Sequence, residues 1–144
     1  MYHREYANLH KYLQTLVSEI PSLQEIWLIG SLANGTERVD SDWDLLVFSD
    51  QAGYKQLQMR PDFKRENVDL LVVFDGENFE EPWPDHYENR KSGTLTGWCW
   101  KRTGKTSATY ESTKFIPDED CEPWFKGLGT SVTKILDGVR LLPK

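Results

Sequence analysis

Three short apolar runs set the strongest limit on what this chain can fold into: Glu25–Ile29, Trp43–Phe48 and Asn67–Phe74. Each is short, and each is apolar at successive positions apart from an acid near its start. Side chains on a strand alternate between the two faces of a sheet, so a run that is apolar on both must be covered on both. The three runs therefore predict interior strands. The first is closed by Gly30-Ser31, a turn signal; the second opens on Asp42-Trp43-Asp44; the third carries Asp69.

The flanking segments predict what covers them. Tyr6, Leu9, Leu13, Leu16, Val17 and Ile20 recur at intervals of three and four, which lines one face of a helix over residues 2–20, stopped by Pro21. Residues 51–59 predict a short helix with Tyr54 and Leu57 facing inward. Between 75 and 93, Gly, Glu, Asn and two prolines read as an exposed connection. Thr94–Arg102 and Thr106–Phe115 predict a β-hairpin about Thr103-Gly104-Lys105. From Asp118 onward, Trp124, Phe125, Leu128, Val132, Ile135, Leu136 and Val139 return to helical spacing, with Asp118 as a cap. The expected class is α+β: helices on a mixed β-sheet, extended by a C-terminal hairpin and helix. A length of 144 residues suits a single domain, here a core over 1–80 and an extension over 94–144.

Composition narrows the partners. No apolar run approaches the length needed to span a bilayer, and MYHREYANLH has no secretory pattern, so a cytoplasmic protein without a membrane partner is expected. Two cysteines, Cys99 and Cys121, are too few for a disulfide scaffold or a zinc site and read as packing residues. A net charge of -6 argues against binding duplex nucleic acid, which is held mainly through neutralised phosphates, and favours a small or protein acceptor.

The chemistry lies in the acids. Residues two apart on a strand share a face about 7 Å apart, so Asp42 and Asp44 reach one region while Trp43 turns into the other layer. If the second strand runs antiparallel to the first, Gly30-Ser31 comes beside them. If the third runs parallel to the second, Asp69 joins the same edge. Clustered carboxylates repel one another unless cations intervene, so a divalent metal is expected there. Gly30 lets a phosphate approach the backbone, and Ser31 adds a hydroxyl donor.

An apolar strand, Gly-Ser, a spacer of ten residues, Asp-x-Asp and a later strand-borne Asp make this chain resemble the DNA polymerase β type nucleotidyltransferase superfamily over residues 5–75. GSLANGTERVDSDWDLL is most similar to its minimal, stand-alone branch, which includes bacterial antitoxins that adenylylate a partner toxin. The resemblance implies two Mg²⁺ ions on the acids Asp42, Asp44 and Asp69, phosphates of a nucleoside triphosphate held by Gly30 and Ser31, and Asp69 as the base that takes a proton from an acceptor hydroxyl. It implies transfer of a nucleotidyl group, with ATP the expected donor, and release of pyrophosphate. Two features depart from the pattern: Asn34 stands where minimal antitoxins often carry Arg, and the hairpin differs from the helical acceptor domain of antibiotic-modifying relatives. A module that contacts a partner such as a cognate toxin without turnover is the alternative.

Plainer readings stand beside these. VDSDWD is also what a solvated loop entering a strand looks like, Asp75 competes with Asp69, and Ser31 suits a helix cap. Thr103-Gly104-Lys105-Thr106 lacks the first glycine of a Walker loop, since Cys99 stands there. Lys101, Arg102 and Lys105 give the hairpin a basic tip. Trp98 and Trp100 share a hairpin face, for packing ahead of base stacking. His3, His10 and His86 have no metal-ligand spacing.

Overall fold

The three apolar runs become β1 (Leu23–Ile29), β2 (Trp43–Ser49) and β3 (Val68–Val73) at the centre of an eight-stranded mixed sheet. The computed structural model describes residues 6–36, 42–84, 90–117 and 129–143. Helix α1 (Tyr6–Glu19) precedes β1, a five-residue turn of helix α2 (Gly30–Asn34) follows it, and α3 (Gln51–Gln58) follows β2. Strands β4 (Asn78–Glu80), β5 (Ser92–Thr94), β6 (Lys101–Arg102), β7 (Ser107–Pro117) and β8 (Gly129–Leu142) complete the order β5-β4-β3-β2-β1-β8-β7-β6. Strand β2 is antiparallel to β1 and β3 is parallel to β2, so both conditions for convergence at one edge are met.

Alternation along the strands sorts their side chains into two layers. On one face Trp43, Leu45, Val47, Leu70 and Val72 pack with Leu9, Leu13, Leu16 and Ile20, and with Tyr54 and Leu57. The first group of four is the predicted stripe of α1, and the last pair belongs to α3. Leu13, Leu16 and Leu57 have no exposed surface, and each such burial stabilises by about 2 kcal/mol. Asp50 caps α3 by accepting the Gly53 N–H at 2.7 Å. On the other face Trp27, Ile29, Leu46, Phe48, Val73 and Phe79 pack with Ala108 and Tyr110 under Trp98 and Trp100. The segment 95–100 is therefore the cover of this second layer.

Four expectations change. Residues 129–142 form strand β8 rather than a helix, while 118–128 and Cys121 lie outside the described residues. The apolar spacing of Val132, Leu136 and Val139 imitates a helix, but the stretch is dense in β-branched Thr, Val and Ile, and it has two long partners to pair with. Gly138, which would weaken a helix, leaves room for the Trp100 ring: a Cβ there would sit 3.3 Å from that ring. The connection over 75–93 carries β4 and the start of β5, with Phe79 buried on β4 beside the edge strand β5. The hairpin turn is where the sequence puts it, but its first strand is only Lys101–Arg102, because 95–100 folds over the sheet instead. Cys99, expected to pack, is exposed on that fold-over with φ of 52°.

Strand β8 lies between β1 and β7, so one sheet runs through both core and extension. The outer parts of β7 and β8, from Ser112 to Pro117 and from Gly129 to Lys134, pair with each other. A chain truncated after Pro117 loses an interior strand and leaves β1 and β7 with open edges. We expect it to lose its cooperative thermal transition, as circular dichroism would show, even though every predicted site residue is retained.

Candidate active site

The end of β1 and the starts of β2 and β3 share one edge of the sheet. Antiparallel pairing sets Ile29 beside Asp44, and parallel pairing sets Asp44 beside Asp69. Adjacent strands are about 4.8 Å apart, so two carboxylates become neighbours through backbone register alone. Trp43 turns into the helix-side layer at 2% exposure, as the alternation requires. Asp44 and Asp69 line a cleft of about 190 Å³ together with Gly30, Lys91, Trp98 and Tyr110.

This placement makes Asp44 reluctant to ionise. Burial pushes its pKa up to about 6, the charges of Asp69 and Asp42 push the same way, and Lys91 offsets part of the rise. The proximity of the two carboxylates in adjacent strands adds to that rise. Among the described residues no three His, Cys, Asp or Glu side chains form a ready-made metal cage. The donor set nonetheless fits Mg²⁺, which favours hard carboxylate oxygens and binds through one or two of them plus phosphate oxygens. A cation there would relieve the repulsion between the acids.

The corner opposite Asp44 is Gly30, whose φ of +76° few side-chain-bearing residues adopt. A Cβ at Gly30 would collide with the Asp44 carboxylate, so this glycine is what allows the acid to sit against the end of β1. The Gly30 N–H donates to the hydroxyl of Tyr110 at 2.7 Å. Burial and the nearby carboxylates of Asp44 and Asp137 raise the Tyr110 pKa, and the Gly30 contact offsets part of the rise. Asn34, at the end of α2, donates to the carbonyls of Gly30 at 2.8 Å and Asp137 at 3.1 Å, and accepts the Asp137 N–H at 2.8 Å. It thus fastens the Gly30 corner to β8.

Not every predicted site residue reaches the cleft. Ser31 is half-buried in the first turn of α2, and Asp42 is half-buried just before β2; neither lines the cleft, though the charge of Asp42 reaches Asp44. Residues 37–41 of the spacer lie outside the described residues, as do His3 and His86. Asp75 stands beyond the opposite end of β3, where its carboxylate accepts the Glu77 and Asn78 N–H groups, as a turn residue does. Arg102 of the basic tip pairs with Glu25 at 2.7 Å and stacks over Trp27 and Phe48, away from the cleft. Thr103-Gly104 closes a turn onto the Ser107 carbonyl. Trp98 and Trp100 stack on Tyr110 with ring centroids 5.2 and 6.2 Å away, and Trp98 also touches Phe79.

Tyr110 and Lys91 are cleft residues that the sequence pattern does not single out, and Asn34, which braces the corner, enters it only as a departure. Tyr110 sits in an alternating Thr/Tyr strand that reads as ordinary sheet, and Lys91 in a polar connection. The departure at Asn34 is the one signal that was visible.

The sequence model for the nucleotidyltransferase domain matches residues 9–116, which takes in the glycine corner, all three acids and most of β7. No curated protein and no solved structure matches the chain. Asp44 makes a stability prediction. Its folded pKa lies above the ordinary 3.8, so ionisation penalises the folded state progressively from pH 3.8 to about 6 and fully above that. Asp44→Asn should therefore stabilise the metal-free protein by about 1–2 kcal/mol near neutrality, a value reduced for partial solvent screening. The gain should vanish below pH 3.8, which denaturant titrations on either side of that window would check.

Proposed function

This chain belongs to the nucleotidyltransferase domain family, and from that premise we propose that it transfers the nucleotidyl group of a nucleoside triphosphate, with ATP the expected donor, to a hydroxyl on a protein or small molecule. The observation that carries the reading is the in-register pair Asp44–Asp69 against Gly30, in a cleft whose charge repulsion a cation-bearing triphosphate would relieve. Phosphoryl chemistry depends chiefly on positioning and charge neutralisation, which is what such a corner offers.

In this reading Asp42, Asp44 and Asp69 hold two Mg²⁺ ions, which when bound supply charge stabilisation at the reacting phosphate and the leaving pyrophosphate. Gly30, without a Cβ, lets the phosphates approach the backbone, and Ser31 donates its hydroxyl to a phosphate oxygen. Lys91 is the one basic residue lining the cleft among the described residues and adds positive charge for the triphosphate. Asp69 accepts the proton of the acceptor hydroxyl as its oxygen bonds to the α-phosphorus and the bond to pyrophosphate breaks. Trp98 and Tyr110, stacked on each other, give the cleft an aromatic wall. Contact with a partner protein such as a cognate toxin, without turnover, is the competing reading; retention of all three acids supports turnover instead.

With labelled ATP, Mg²⁺ and a panel of hydroxyl acceptors, wild-type protein should transfer label and release pyrophosphate. Asp44→Asn should reduce the rate at least about 100-fold, as losses of a transition-state charge stabiliser do. Undiminished transfer by the double variant Asp42→Asn plus Asp44→Asn would remove the assigned roles.

A further inference from the structure

The cleft takes a wall from the C-terminal strands, and that wall carries a polar group with unused capacity. Tyr110 on β7 is 4% exposed, and its ring is sandwiched between Trp98 and Trp100. Packing on both sides leaves the phenol little freedom to move. Its oxygen accepts the Gly30 N–H at 2.7 Å, so that oxygen is fixed beside Gly30 on the wall of the cleft that Asp44 and Asp69 also line. Accepting one bond leaves the phenol its own O–H to donate. The proton's natural acceptors there are anionic oxygens, and Asp44 is close enough to act on the phenol electrostatically. Gly30, in turn, holds a left-handed backbone, and the Tyr110 oxygen gives its half-buried N–H an acceptor.

We propose that Tyr110 is a positioning residue of the nucleotide site: its hydroxyl oxygen fixes the Gly30 backbone against Asp44, and its hydroxyl proton is donated to a phosphate oxygen of the bound triphosphate. The inference rests on the nucleotidyl-transfer reading of the cleft and assigns it a residue outside the Gly-Ser and Asp-x-Asp pattern. It also gives the extension a part in the site, because β7 is held in the sheet by β8, and β8 is fastened to the same corner through Asn34.

Tyr110→Phe tests this, since it keeps the ring between the two tryptophans and removes only the hydroxyl. The near-uv ellipticity of the aromatic layer should be unchanged, which reports that the stack is intact. Gly30 amide exchange, followed by NMR in the absence of nucleotide, should accelerate about tenfold, the change expected for one lost hydrogen bond. Calorimetry with ATP and Mg²⁺ should show affinity weakened about tenfold or more, with KM raised to match and kcat changed by less than about threefold, the pattern of lost uniform binding. An unchanged Gly30 exchange rate, or unchanged ATP affinity in the variant while wild-type protein binds ATP, would overturn the assignment and leave nucleotidyl transfer standing. Absence of ATP binding by wild-type protein would overturn both, and is recognisable because it does not involve the variant.

Discussion

Backbone register between β2 and β3 is the constraint on which the site depends. Parallel pairing puts Asp44 directly beside Asp69, and the fold must then tolerate two acids at one half-buried edge. Much of the surrounding structure can be understood as accommodation of that pair. Gly30 has no Cβ where Asp44 must sit, Trp43 takes the alternate side of the strand and anchors it in the helix-side core, and Lys91 supplies partial compensation. The remaining repulsion is a cost in the free protein and an attraction for a cation-bearing ligand. Residues that are poor for stability and good for binding are the usual signature of a functional edge.

The site is also a composite of the two halves of the chain. The acids and the glycine come from the first half, in the short strands that the family pattern spans. The wall facing them comes from the second: Tyr110, stacked between tryptophans of the fold-over segment, and β8, tied to α2 by the paired hydrogen bonds of Asn34. An Arg at position 34 would lack the acceptor oxygen that takes the Asp137 N–H, so the asparagine suits a chain whose glycine corner is braced by an added strand.

How much of this was legible in the sequence follows from what each element depends on. The interior strands were readable because an unbroken apolar run with an acid at its start has few other solutions, and α1 because its stripe is regular over several turns. The convergence of Asp44 and Asp69 followed once strand directions were fixed. Strand β8 was not legible: Val132, Leu136 and Val139 satisfy a helical period, and its β-branched residues decide against a helix only together with the open edges of β1 and β7. The roles of Gly138 and Tyr110 were hidden for the same reason, since each is set by a contact with a residue about 40 or 80 positions away in sequence.

The position of β8 has a consequence for biosynthesis. Strands β1 to β7 leave the ribosome before it, yet the slot it fills lies in the middle of the sheet. Until that segment emerges, two interior strand borders face water with their amide and carbonyl groups unpaired by any neighbouring strand, next to the aromatic residues of the second layer. The nascent chain therefore passes through an interval in which it is most open to capture by chaperones or by pairing with another unfinished copy, and that interval closes only when the last strand inserts.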